Sequence, residues 1–249
     1  MPSVYCPTLR ELNDSQNRVI RLEGEEFHHL VRVLHHRTGD RITLNSGKGL
    51  KASAIIIEIN KDYARLQVQE LALVPEIPTP FAIAFALLKN RRDENIVEKC
   101  TELGVNDLFP FTTEYTVRRP ANNTLERFGK VALAAIKQCD NAFLPRIHAI
   151  LDLIPTLTVI RDAGYAPVLC SERCPDIWLY DLAPELLALP CFIIGPEGGF
   201  SKSEFDFLSG EGLPEISIGY LITRADTAAV SIAAQWLAYA NKERAKGTI

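Results

Sequence analysis

Phe81-Ala82-Ile83-Ala84-Phe85-Ala86-Leu87-Leu88 is an apolar run without a polar break. It has the length of a strand and falls far short of the ~20 residues that cross a bilayer as a helix. An unbroken apolar strand suits a sheet covered on both faces. Downstream, apolar strand-length segments alternate with segments of helical period. The strands read as Phe81–Leu88, Asp107–Thr112, Pro167–Ser171, Cys191–Ile194 and Ile216–Ile218. The helices read as Asp93–Leu103, Leu125–Cys139, Ser203–Leu208 and Thr227–Arg244. That order predicts an α/β domain on a mainly parallel sheet.

Upstream, the pattern differs. Val74-Pro75-Glu76-Ile77-Pro78-Thr79-Pro80 carries three prolines, which suit neither helix nor central strand and stiffen an extended connection. We place a linker at 75–80, a first domain at 1–74 and a second at 81–249. The first domain shows short β-branched or alternating strands at Val19–Leu22, Arg41–Asn45, Ala52–Ile59 and Ala64–Leu71. One helix is expected over Glu25–His36, and the whole reads as a small β-barrel with one helix.

Composition sets limits. The 249 residues are 47% hydrophobic and 23% charged, which supports a sizeable core and excludes disorder as the main state. Met1–Arg10 has no apolar run with a cleavage site, so a cytoplasmic protein without membrane association is expected. Six cysteines without a C-x-x-C pair read as reduced core residues. The net charge of −4 excludes a general nucleic-acid binder, although residues 1–74 are slightly basic and hold four of the five histidines. His28, His29, His35 and His36 have no carboxylate or cysteine at ligand spacing, so no metal is expected. His29, Arg32 and His36, with Arg37 beside them, suit a phosphate-contacting patch or a solvated face.

Ligands of open α/β sheets bind outside the carboxyl ends of the strands. Four segments fall there: Lys89-Asn90-Arg91-Arg92, Ser171-Glu172-Arg173, Gly195-Pro196-Glu197-Gly198-Gly199-Phe200, and Gly219 to Thr227. The third is the most specific. Its glycines let backbone approach a ligand, and Ser201 with Glu204 predicts a capping box that starts a helix at once. The plainer alternative is a tight turn. It is not G-x-G-x-x-G, which disfavours a nicotinamide cofactor, and hydrolase, zinc-protease and P-loop motifs are absent.

Four stretches together resemble one family. His28-His29-Leu30-Val31-Arg32-Val33-Leu34 before Gly39-Asp40, Lys99-Cys100-Thr101-Glu102-Leu103-Gly104-Val105, Gly195 to Phe200, and Arg224-Ala225-Asp226-Thr227-Ala228 are similar, in order and spacing, to the ribosomal RNA small-subunit methyltransferase E family. The resemblance implies an α/β fold in which an N-terminal PUA-like β-barrel precedes a C-terminal SPOUT α/β domain with a deep trefoil knot. It implies a homodimer that methylates N3 of one uridine in 16S ribosomal RNA, on the RNA or the small ribosomal subunit, with S-adenosylmethionine as donor and no metal. Carried over by position, the donor contacts Leu169, Gly195, Pro196, Gly199, Ile218, Gly219, Ile222, Thr223 and Thr227. Glu197 and Arg224 are the candidate catalytic pair, because uracil N3 must lose a proton and the resulting anion needs stabilising. An ion pair of Arg224 with Asp226 or Glu197 is the plainer alternative. His29, Arg32, His36, Arg37, Lys89 and Arg91 are the candidate RNA contacts.

Some positions depart from the family pattern. Ser3-Val4-Tyr5, Tyr115, Asn141 and Leu221 stand where basic residues are usual, and Tyr220 replaces a proline. The glycines of the donor loops are kept. Two other readings therefore stay open: a diverged relative with a different target or weak activity, and a non-catalytic RNA-binding module.

Overall fold

The computed structural model describes residues 3–11, 18–174 and 176–246. The chain divides into two compact units, Met1–Glu76 with Leu133–Leu144, and Ile77–Ala132 with Pro145–Ile249. The expected division, with its linker at 75–80, did not foresee that Leu133–Leu144 groups with the first unit. The reason is polar as well as apolar. Glu26 pairs with Lys137 at 2.7 Å, Asn45 Nδ2 donates to the Asn141 carbonyl at 2.8 Å, and Gly49 N–H donates to the Ala142 carbonyl at 2.9 Å. Each bond joins residues about a hundred positions apart, beyond the reach of local periodicity.

The first unit is a five-stranded sheet. Its strands are β1 (Val4–Tyr5), β2 (Val19–Glu23), β3 (Arg41–Asn45), β4 (Leu50–Ile59) and β5 (Tyr63–Leu73), in the order β1-β3-β4-β5-β2. Only the β1–β3 pairing is parallel. Alternation along β4 and β5 turns Ala52, Ala54, Ile56, Ala64, Leu66 and Val68 into a core with Leu9, Leu30 and Leu44.

The expected continuous helix over Glu25–His36 does not form. Helix α1 covers Gly24–His28 and passes into a wider π turn over His29–Val33, where Leu34 N–H reaches the His29 carbonyl at 3.0 Å. His35 then takes φ 56°. Asp40 supplies the reason: one carboxylate oxygen accepts Arg37 N–H at 2.8 Å and meets His36 Nδ1 at 3.1 Å, a local arrangement that competes with helix propagation. These contacts, that of the Arg37 N–H first, hold the Asp40 carboxyl below its ordinary pKa.

The second unit contains β6 (Ala82–Ala86), α2 (Arg92–Glu102), β7 (Asp107–Thr112), α3 (Thr124–Cys139, which passes to the first unit from Leu133), β8 (Arg146–Ile147), β9 (Leu151–Asp152), α4 (Leu153–Asp162), β10 (Ala166–Cys170), β11 (Pro190–Ile194), α5 (Lys202–Gly210), β12 (Glu215–Ile216) and α6 (Ala225–Lys246). The sheet order is β12-β10-β11-β6-β7-β8, with β9 also on β7, and every pairing is parallel. All five residues of β6 are buried. Ala82, Ala84 and Ala86 face a cluster with Leu153, Leu157, Ile160 and Leu208. Helix α4 was not foreseen in the sequence. It is short, and Pro155 lies in its first turn, where a missing N–H leaves no bond unmade.

Helix α6 packs Ala228, Ala229, Ile232, Ala233, Trp236 and Ala240 inward. Trp236 Nε1 reaches the Thr79 carbonyl at 3.4 Å. Its small-residue stripe is therefore consumed largely within its own unit. Among the described residues no helix is long and apolar enough to cross a membrane.

Candidate active site

Strand β11 lies between β10 and β6, so chain order reverses there, and such a reversal opens a crevice at the strand ends. A cleft of about 350 Å³ occupies that place. Three loops wall it. Leu169 to Arg173 follow β10, Ile194 to Phe200 follow β11, and Ile222 to Ala225 lead into α6. A smaller hollow of about 110 Å³ shares Cys170, Ser171, Glu172, Ile222, Thr223 and Ala228 with it and adds Ser217 to Leu221.

The middle loop is shaped by its glycines. A Cβ on Gly195 would stand 2.9 Å from the Phe200 ring, closer than any real contact. Gly199 takes φ +73° and closes a turn by donating to the Pro196 carbonyl at 3.0 Å. Helix α5 then starts on the expected capping box. Ser201 Oγ accepts Glu204 N–H at 3.3 Å, and Glu204 Oε2 accepts Ser201 N–H at 2.9 Å. The other Glu204 oxygen accepts Glu114 N–H at 2.8 Å, which fastens the loop after β7 to the same helix start.

Among the expected ligand contacts, Leu169, Gly195, Pro196, Gly199, Ile222 and Thr223 line the main cleft, together with Glu197 and Arg224. Ile218 and Gly219 line the smaller hollow. Thr227 lines neither and is exposed on the first turn of α6. Glu197 is exposed, and its Oε1 accepts the Lys89 N–H at 3.3 Å. Arg224 is exposed and forms no ion pair among the described residues, so neither Asp226 nor Glu197 neutralises it. Asp226 keeps one buried oxygen without a hydrogen-bond partner.

Several lining residues were not on the expected list: Ser171, Glu172, Arg173, Phe200 and Phe205. The strand-end rule pointed to the first four. Phe205 had no such signal. It lies one turn after the Ser201 cap and carries the Arg173 guanidinium 4.0 Å over its ring. Cys170 also lines the cleft, and burial pushes its thiol well above the ordinary value, so it stays neutral and is no nucleophile.

The remaining basic candidates are spread out. Lys89 and Arg91 are exposed before α2, where Asn90 and Arg91 take left-handed φ of 54° and 58°. Buried Asp93 takes Arg118 as its partner, and Arg118 follows the β7 loop. Burial nevertheless raises the Asp93 carboxyl pKa. In the first unit, Arg32 and Arg37 are exposed, His29 is half-buried, and His36 is occupied by Asp40. Asn141 is not at the cleft; it belongs to the first unit, where its Oδ1 accepts Phe143 N–H at 2.9 Å.

Comparison with known proteins adds a family. The RNA methyltransferase domain family matches residues 75–237, and the RNA methyltransferase PUA domain family matches residues 22–69. The chain is 30% identical to the ribosomal RNA small subunit methyltransferase E of Synechocystis over 87% of this chain and 72% of that one. It is 28% identical to the protein of the same name in Bacillus subtilis, over 83% and 85% of the two chains. In fold it is similar to a ribosomal RNA small subunit methyltransferase E from Neisseria gonorrhoeae, solved bound to S-adenosyl methionine, with a TM-score of 0.81 over 96% of this chain and 98% of that one at 24% identity.

Proposed function

The chain belongs to the ribosomal RNA small subunit methyltransferase E family, and on that premise we propose that it transfers the methyl group of S-adenosylmethionine to N3 of one uridine in 16S ribosomal RNA. The observation that carries this reading is the meeting of Glu197 and Arg224 with Gly195 and Gly199 at one cleft. The lining suits such a donor. Leu169, Ile194, Phe200 and Ile222 offer apolar surface for a nucleoside, and Gly195 lets backbone close on it without a side chain between. The volume lies at the lower end of the ~300–1,000 Å³ of small-molecule sites.

When bound, the donor supplies a methyl group already activated on a sulfonium, so the protein's task is the nucleophile. Uracil N3 holds a proton at neutral pH. The Glu197 carboxylate, exposed at the mouth, accepts that proton, and the Lys89 N–H bond fixes the direction of its other oxygen. Arg224, free of any carboxylate partner among the described residues, meets the negative charge that develops on a uracil oxygen. Arg32 and Arg37 of the first unit, with His29 and His36, and Lys89 and Arg91 of the second, contact RNA phosphate.

The working form is a homodimer in the cytoplasm, where its RNA substrate is. Tyr220, Leu221 and Ile222 are 94%, 81% and 84% exposed beside the cleft, an apolar run that a second copy covers. Mass analysis of 16S ribosomal RNA from a strain lacking the protein tests the reaction. One uridine should lose a methyl group and regain it on incubation of its small subunits with protein and donor. An unchanged spectrum contradicts the assignment.

A further inference from the structure

The loop after β7 is fastened at both sides of one exposed aromatic residue. Glu204 holds Glu114 N–H at 2.8 Å with the oxygen it does not use in the α5 cap. The Thr116 hydroxyl accepts Thr113 N–H at 2.8 Å and folds the loop on itself. Two residues on, Arg118 is drawn to Asp93, whose side chain is fully buried. Tyr115 stands between these ties.

Its place is beside the glycine loop. A Cβ on Gly198 would lie 3.5 Å from the Tyr115 Cβ, an ordinary packing distance, so the base of the tyrosine rests against the residue that follows Glu197. Beyond that contact the residue is 50% exposed, and among the described residues its hydroxyl has no partner. An aromatic ring on a loop anchored at both ends is already ordered, so little entropy is lost when something stacks on it. Unpaired nucleic-acid bases are taken out of their stack before chemistry and are commonly laid on such rings.

We propose that Tyr115 is the stacking platform for the target uracil, holding the base beside the Glu197 carboxylate. This rests on the reading of the protein as a uridine methyltransferase. It makes Tyr115 a substrate-binding residue that is distinct from the donor contacts, since it does not line the donor cleft. The hydroxyl plays no part; the ring face does the work.

Kinetics on small ribosomal subunits from a strain lacking the protein provide the test, with donor affinity and melting temperature measured on the same preparations. Tyr115→Ala should lower kcat/KM for the subunit about ten- to hundredfold, the cost of one lost base stack, with donor affinity and melting temperature unchanged. Tyr115→Phe and Tyr115→Trp should stay close to wild type, and the tryptophan emission of the latter should be quenched on adding subunits. Wild-type kcat/KM in Tyr115→Ala overturns the proposal while leaving the methyltransferase reading intact. So does a Tyr115→Phe enzyme as poor as Tyr115→Ala, which would transfer the role to the hydroxyl. A wild type that methylates no ribosomal RNA overturns the activity and this assignment with it.

Discussion

Glu197 and Asp93 are both carboxylates near the ends of parallel strands, yet their surroundings give them different work. Glu197 is exposed and has only a backbone N–H on one oxygen. Given its proposed role of general base, worth a factor of ~10²–10⁴, Glu197→Gln should lower single-turnover methylation by that range and leave donor affinity intact. Unchanged turnover would remove it from the reaction. Asp93 is fully buried and is kept by Arg118. Arg118→Met leaves that carboxylate in the core without its ion pair, held only by backbone N–H groups such as that of Glu94, and should cost about 3–5 kcal/mol in urea denaturation, whereas the double variant with Asp93→Leu should recover much of the loss. The pH dependence has a definite sign. Burial raises the folded pKa of Asp93 above its unfolded value. Its contribution to stability is therefore full below the ordinary carboxylate pKa of about 3.9 and is lost as pH rises through the folded pKa. Neither role was legible in the sequence to the same degree. Glu197 stood out because glycines flank it after an apolar strand, while nothing local marks Asp93 as buried, since its partner is 25 residues away.

Elements followed local patterns where local bonds determine them. Ser201 and Glu204 were readable as a cap because a capping box is closed within four residues, and it forms. The second duty of Glu204, toward Glu114, was not readable, because it joins elements 90 residues apart. Glu204→Ala should thus cost more than the ~1 kcal/mol of an ordinary cap loss and should also impair RNA methylation. Thermal denaturation and turnover on one preparation separate the two effects. The helix expected at Glu25–His36 broke because Asp40 competes for the chain beyond Leu34, a contest that apolar periodicity does not register. The break leaves Arg32 exposed on the π turn. Arg32→Ala should weaken RNA binding and reduce its salt dependence by about one unit of slope; an unaltered slope would make Arg32 a solvated residue only.

For the molecule as a whole, the succession of apolar strands and the strand-end rule pointed from the sequence to the segments that line the cleft, because a buried parallel sheet constrains where loops can meet, whereas the strand order itself was not readable. What also could not be read was the assignment of Leu133–Leu144 to the first unit and the fate of the α6 stripe, both of which depend on distant contacts. That stripe packs inward largely within its own unit, so the proposed dimer is assigned to the exposed apolar run Tyr220-Leu221-Ile222 instead. Because a two-fold contact repeats every change, Leu221→Lys introduces two charges at once. Light scattering should then report monomers, with methyl transfer lost alongside. A wild-type monomer at micromolar concentration with full activity would refute the dimer.

The insertion of β11 between β10 and β6 also sets a schedule for biosynthesis. β6 pairs with a strand more than a hundred residues downstream, and everything that lines the cleft comes from Leu169 to Ala228. Domains emerging from the ribosome fold from the N-terminal side, and non-local strand pairing is slow. The first strands of this sheet must therefore wait, unsealed at one edge, until the late strand slots in. A nascent chain gains affinity for its small ligand only after the start of α6 has been made, so the ligand can rescue a finished fold but cannot guide an unfinished one.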